Sequence, residues 1–378
     1  MTKIQPIDLT HHTDLDFPPR TLLGPGPSIV YPRVLRAMAT PIVGYLDASL
    51  LELMDKIQDL LRYVFQTKNE LTIPMSGTGT AAMETAVANM VEPGDAVLIC
   101  ANGYFGLRLA EMAELYGGDV QTITRPWGEV FTAEEVKQAL DARPARVVAI
   151  VHGETSTGAE QPLADIVKVV HDQGGVIIVD TVASLGGVPI QVDELGIDVC
   201  YTGSQKCLSC PPGLGPITLG PRAEEKLQAR TTPVANWYLD LTRVRKYWGS
   251  ERKYHHTAPV SALCGLYEGL RVVAEEGLDK GWQRHRESAE LLWEGLEAMD
   301  LTMQVAPEHR LVSLTTVRVP DGVDEAETRR RLMNEFNIEI AGGLGELAGK
   351  VWRVGLMGYS ARRENVMMLL AALERILH

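Results

Sequence analysis

No stretch of this 378-residue chain approaches the ~20 consecutive apolar residues that a membrane-spanning helix needs. Positive charge is also short: 36 Lys and Arg stand against 49 Asp and Glu, a formal net charge of −13 at pH 7. Nucleic acid and anionic membranes both demand a basic face, so neither is expected as a main partner. Cysteine is scarce. Cys100, Cys200, Cys207, Cys210 and Cys264 are an odd number scattered through a long chain, which argues against a disulfide framework and fits a reducing cytoplasm. Cys207 and Cys210 form a C-x-x-C, but no second cysteine pair and no histidine at zinc spacing accompany them, so buried thiols are expected and a metal is not. The pairs His11-His12 and His255-His256 likewise lack a third ligand at useful spacing. The opening MTKIQPIDLTHHTDLDF has no apolar core of a signal peptide, and the closing Ile376-Leu377-His378 is not a peroxisomal tripeptide. Repeats and low-complexity linkers are absent.

What is present is an ordinary globular balance, 45% hydrophobic and 22% charged, in a chain long enough for two domains. From about Leu71 to Gly220, apolar runs alternate with helical patterns. The runs include Ala96-Val-Leu-Ile-Cys100, Arg146-Val-Val-Ala-Ile-Val151 and Val176-Ile-Ile-Val-Asp180; helical spacing covers 133–140 and 163–171. Near-continuous Val/Ile runs between helices predict a mainly parallel sheet covered on both faces. After about Pro259 the pattern changes to long helices over 261–276 and 280–299. A strand (311–319), a helix (325–336), short strands (338–340 and 351–356) and a closing helix follow, a second α+β unit.

Lys206 stands alone in Tyr-Thr-Gly-Ser-Gln-Lys-Cys-Leu-Ser-Cys-Pro-Pro-Gly, with no other charge between Asp198 and Arg222. An isolated lysine near apolar walls has its pKa pulled down and suits Schiff-base chemistry; the alternative is a solvated loop lysine. Leu71-Thr-Ile-Pro-Met-Ser-Gly-Thr-Gly-Thr-Ala-Ala-Met-Glu84 reads as an apolar segment, a glycine-rich turn and a helix start. Such a turn can close on a phosphate through backbone N–H groups. Gly77-Thr-Gly79-Thr-Ala-Ala82 matches a loose dinucleotide fingerprint, but the next strand ends at Asn102 without the acid a ribose needs, so a single phosphate is the better ligand. A glycine turn made only for tight packing is the alternative. Asp180 closes an apolar strand, where a lone carboxylate needs a cationic partner or serves as a helix cap. Phosphate turn, strand-end acid and isolated lysine, in this order on one sheet, suggest pyridoxal phosphate: Lys206 on the aldehyde, Asp180 on the pyridine nitrogen.

The chain at this point resembles the class V aminotransferases, in particular the alanine–glyoxylate and serine–pyruvate branch. The resemblance runs from about Leu22 to the C-terminus. It rests on Gly24-Pro-Gly-Pro-Ser28, Tyr63-Val-Phe-Gln-Thr67, Glu92-Pro-Gly-Asp95, His152-Gly-Glu-Thr-Ser-Thr-Gly158, Val179-Asp-Thr-Val-Ala-Ser-Leu-Gly-Gly187, Gly203-Ser-Gln-Lys206, Tyr254-His-His-Thr257 and the segment around Arg353. It implies an α/β fold of pyridoxal-phosphate fold type I, with a mainly parallel seven-stranded sheet. An N-terminal arm (1–21), a large cofactor-binding domain (22–259) and a smaller C-terminal domain (260–378) would make up the chain. It implies a homodimer whose active sites lie at the subunit interface. Thr78, Gly79, Thr80 and Gln205 would hold the phosphate, with Tyr254 and Thr257 of the other subunit; Phe105, Thr155 and Val182 would contact the ring. Gly26 and Arg353 would bind substrate, the arginine as a planar clamp on the α-carboxylate.

Three positions depart from the family pattern. Phe105 replaces the usual tryptophan on the ring face, Thr80 stands where mammalian relatives carry histidine, and Tyr45 follows Gly44 where many bacterial relatives have histidine. The expected reaction moves an amino group from alanine or serine to glyoxylate or pyruvate by a ping-pong route. The rivals are a pyridoxamine–pyruvate-type transaminase, a lyase or desulfurase on the same fold, and a cofactor-sensing transcription regulator. A desulfurase needs a mobile cysteine in the second domain, whereas Cys264 falls inside a predicted helix; a regulator needs a basic DNA-binding domain that an acidic chain of this length has no room for.

Overall fold

Runs of Val and Ile that must be covered on both faces find that setting in a seven-stranded sheet. The structure, a computed structural model, describes Thr10 and residues 14–377; most of the expected N-terminal arm, with His11-His12, lies outside the described residues. In spatial order the strands are Thr72–Ser76, Leu214–Leu219, Val199–Tyr201, Val176–Asp180, Val147–Val151, Ala96–Ala101 and Asp119–Thr124. Leu214–Leu219 runs antiparallel to both neighbours, and the other six share one direction. Every residue of the central strands Val147–Val151 and Val176–Asp180 is buried. Six carboxyl ends therefore meet at one edge of the sheet, the place where open α/β folds bind ligands.

Register brings particular residues together at that edge. Val151 pairs with Asp180, and Asp180 with Tyr201. Ser76 leads into the Gly77 turn and the helix Gly79–Met90, and Ala101 leads into the helix Tyr104–Leu115.

The helices Val260–Glu276 and Leu278–Ala298 appear within two residues of their expected bounds. Val260–Glu276 packs against Pro32–Met38 and Ala48–Phe65, and Cys264 lies within it. A separate sheet joins Leu314–Arg318, Val351–Gly355 and Ala341–Gly342, with Val351–Gly355 in the middle. Its own apolar cluster includes Leu23, Leu292, Leu332, Ile338, Trp352 and Leu369. Thr21–Leu22 pairs with Ile338–Glu339, so the chain passes beside this smaller sheet before it crosses to the large one. The crossing segment is pinned there: Ser28 N–H donates to the Gln205 carbonyl (2.9 Å) and Ser28 Oγ to the Lys206 carbonyl (2.7 Å).

Candidate active site

The glycine turn after Thr72–Ser76 has the geometry that only small residues permit. Gly77 sits at φ 155°, and a Cβ on it would come 2.5 Å from Ala81 Cβ. Thr78 is the N-cap of the helix Gly79–Met90 but its side chain caps nothing. The N–H groups of Gly79 and Thr80 find no acceptor among the described residues. A helix N-terminus with free donors favours an oxyanion. Gln205 stands opposite, with its buried Oε1 unpartnered.

Asp180 is 2% exposed. Its carboxylate accepts from the Val182 N–H (2.8 Å) and from the Tyr201 hydroxyl (2.9 Å). Burial nevertheless pushes it up to about 7, against the pull of these two donors; buried Glu154 nearby adds to the rise. Among the described residues no ion pair holds this acid, and Lys206 is near enough only to offset part of the rise. Lys206 lies opposite in character: burial pulls its amine down to about 8. Its Nζ donates to the Pro25 carbonyl. Gly26, at φ +121°, is where it is because the lysine fills the space a side chain needs; a Cβ there would stand 2.8 Å from Nζ.

Glu154, fully buried, reaches back across 49 residues to cap the N-terminus of the helix Tyr104–Leu115. It accepts from the N–H groups of Phe105 (3.0 Å) and Gly106 (3.3 Å) and from Ser156 N–H and Oγ. The N-cap position is Gly103, which has no side chain to do this, and a Cβ there would strike Glu154 at 2.3 Å. Ser156 Oγ in turn accepts from the Tyr104 N–H at 2.9 Å. Glu154 therefore fixes the turn that carries Phe105. Burial raises its carboxyl above the ordinary range.

Arg353, on the middle strand of the small sheet, is 6% exposed. Its Nε donates to the Gly342 carbonyl (2.6 Å) and an Nη to the Thr155 carbonyl (3.1 Å). No carboxylate pairs with it among the described residues. Burial pulls it down to about 10.

One cavity is lined by Thr78, Gly79, Thr80, Phe105, Thr155, Asp180, Val182, Gln205 and Lys206, nine of the positions expected from the sequence, together with Met83, Val151, Gly153 and Ala183. Gly26 touches it through Lys206, and Arg353 through Thr155. Tyr254 and Thr257 are not part of it. Both are exposed; they bond to each other at 3.1 Å, and the Tyr254 ring centroid lies 5.1 Å from that of Tyr45. His256, between them, bonds Ser76 Oγ at 2.7 Å and His255 at 2.9 Å, so the histidine pair braces the strand that enters the turn. A wider surface hollow at the amino ends of the strands, lined by Lys68, His171, Asp198 and Arg222 among others, carries none of these groups. Among the described residues no cluster of three His, Cys, Asp or Glu could hold a metal, and no helix is long and apolar enough to cross a membrane. Tyr201 and Glu154 were not expected in the site. The signal for Tyr201 was its place at the end of the strand beside Asp180; for Glu154 nothing local in sequence gave it.

Free donors at a helix N-terminus, a carboxyl at about 7 without an ion-pair partner, and an amine at about 8 fit the phosphate, ring nitrogen and aldehyde of pyridoxal phosphate. Fold and site define a pyridoxal-phosphate-dependent enzyme of fold type I. The family model for aminotransferase class-V matches residues 33–365, and the chain belongs to that family. It is similar to the crystal structure of an alanine–glyoxylate aminotransferase from Nostoc sp., with 56% identity, a TM-score of 0.96 and coverage of 99% of this chain and 100% of that one. It is 43% identical to an alanine–glyoxylate aminotransferase of Rattus norvegicus, over 96% of this chain and 89% of the relative. It is also 40% identical to an (S)-ureidoglycine–glyoxylate transaminase of Bacillus subtilis, over 96% and 92%.

Proposed function

We propose that this aminotransferase takes its amino group from a small, uncharged amino acid, alanine or serine, and passes it to glyoxylate or pyruvate in a ping-pong cycle. The observation that carries the substrate class is Arg353, a buried guanidinium with donors to spare beside the cavity and no carboxylate of its own. An α-carboxylate supplies the partner that a buried charge requires. No arginine, and no lysine other than Lys206, lines the cavity itself. A second, distal carboxylate on the donor would therefore be buried unpaired. The names of the relatives support glyoxylate as acceptor.

Pyridoxal phosphate, when bound, supplies an electron sink for the pair left at the substrate's Cα. Within this reading Lys206 would hold the aldehyde, and its free amine would carry a proton away from the substrate's Cα. Burial pulls its amine down to about 8, so more of it is unprotonated near neutral pH than in an ordinary lysine, although the ammonium still predominates. Asp180 keeps the ring nitrogen protonated, and Tyr201 and Val182 aim its carboxylate. Thr78, Gly79, Thr80 and Gln205 take the phosphate. Phe105, Val182 and Thr155 would contact the ring, Gly26 would leave room for the lysine beside the substrate, and Arg353 would clamp the carboxylate.

Tyr254 and Thr257 complete the phosphate cup of a second copy. Their exposure supports this, as do the exposed Ile42, Tyr45, Leu46 and Trp237, which a homodimer would cover. The separate sheet and core of the C-terminal part support a division near residues 259 and 260. Five unpaired cysteines, four of them buried, support a reducing cytoplasmic setting.

Steady-state assays with paired donors and acceptors test the proposal. Alanine or serine with glyoxylate or pyruvate should give the highest kcat/KM, and glutamate with 2-oxoglutarate should be poor. Preference for glutamate or aspartate would overturn the substrate class. Turnover of free pyridoxamine with pyruvate, by protein that does not retain the phosphorylated cofactor, would move the chain to the pyridoxamine-type reading.

A further inference from the structure

The cup assigned to the phosphate contains hydroxyls, an amide and backbone N–H groups, but no cationic side chain. A dianion held only by neutral donors leaves most of its charge uncompensated. At the rim of the same cup stands Arg108, on the helix Tyr104–Leu115, half-buried and with no carboxylate partner among the described residues. Its Nη1 donates to Thr80 Oγ1 at 3.2 Å. Its guanidinium carbon lies 4.8 Å from the centre of the Phe105 ring and 5.2 Å from that of Tyr104, so two aromatic faces hold it over the cup.

We propose that Arg108 is the cationic cofactor-binding residue of this chain, acting on the phosphate through Thr80 and through its own charge; the inference rests on the pyridoxal-phosphate reading above. A threonine hydroxyl has one proton and two acceptor positions. The arginine occupies an acceptor position, so the proton is free to be donated into the cup. An oxyanion accepting from that hydroxyl is then within about 6 Å of the guanidinium, two hydrogen-bond lengths at most. Arg108 thus touches Thr80 in the cup as well as the rings of Phe105 and Tyr104. The arginine couples the ring-covering residue to the phosphate turn, and a change in either alters its position.

The test compares pyridoxal phosphate with pyridoxal, which has the aldehyde and ring but no phosphate. Wild type, Arg108→Gln and Arg108→Lys are purified as holoenzyme, stripped of cofactor and retitrated with each compound, following the visible absorbance at low and high salt. Arg108→Gln should raise the Kd for pyridoxal phosphate about tenfold or more, as expected for a lost charge-assisted contact, and leave the Kd for pyridoxal unchanged. Arg108→Lys should recover part of the loss. Added salt should weaken phosphate-dependent binding in wild type more than in Arg108→Gln. An unchanged ratio of the two Kd values in Arg108→Gln overturns the proposal, whether both constants rise, as loss of packing on Phe105 would cause, or neither does. A wild-type chain with no affinity for pyridoxal phosphate overturns the reading beneath it as well.

Discussion

Asp180 and Lys206 are displaced in opposite directions by the same cause, removal from water. The acid stands at about 7 and the amine at about 8, so each is near its midpoint at the pH where the other must act. The signs give a pH dependence for cofactor capture by the stripped protein. Below pH 7 Asp180 is protonated and offers no charge to the ring nitrogen; below pH 8 Lys206 is mostly ammonium and is no nucleophile. Affinity for pyridoxal phosphate should therefore rise with pH across both steps, measured by absorbance titration. Asp180→Asn should abolish the lower step and keep the upper one. Tyr201→Phe removes one of two donors to the carboxylate and should move the lower step up by about one pH unit, the worth of a modest hydrogen bond to a charge. An unmoved step would show that Tyr201 does not set the acid. Asp180 and Lys206 were legible in the sequence because an isolated charge among apolar or small residues is conspicuous. Tyr201 was not, since a tyrosine at a strand end reads as core until the register places it against Asp180.

The elements show where the same reasoning stops. Central strands were legible from their continuous Val/Ile runs, because both faces are buried. The edge strand Asp119–Thr124 was not; its half-exposed, mostly polar residues carry no such run. The helix Tyr104–Leu115 starts without a local capping side chain, and its cap comes from Glu154, 49 positions on. No pattern confined to a short window can reveal that. The dependence is testable through stability. Glu154→Ala leaves the buried N–H groups of Phe105 and Gly106 without an acceptor, a cost of about 2–4 kcal/mol by the usual penalty for such groups. Thermal unfolding of the cofactor-free protein should drop by several degrees, and Glu154→Gln, which keeps an acceptor oxygen, should lose less. Equal loss in both variants would assign the effect to the carboxylate's charge and not to capping.

At the scale of the whole molecule, the sheet explains why one chain gathers nine expected site residues into one cavity, brings Gly26 and Arg353 against it, and yet leaves Tyr254 and Thr257 outside. Five of the six carboxyl ends contribute to its lining, and only that of the edge strand Asp119–Thr124 does not. Tyr254 and Thr257 instead lie on the surface, and among the described residues their segment is tied to its own turn through His256 and Ser76. It can brace one phosphate turn from behind while presenting Tyr254 and Thr257 outward to another. In the proposed homodimer a second copy supplies the missing contacts, and that proposal separates two kinds of defect. A Lys206→Ala subunit has intact Tyr254 and Thr257 to lend; a Tyr254→Phe/Thr257→Ala subunit has an intact lysine to use. Each homodimer should be inactive or weak. Mixed under conditions that exchange subunits, they should form heterodimers in which one of two sites is whole, and activity should recover toward half that of wild type per heterodimer. Size-exclusion chromatography and assay of the mixture measure this directly. Failure to recover, with heterodimers demonstrably formed, would mean that each site is built from a single chain and that the exposed tyrosine serves another purpose.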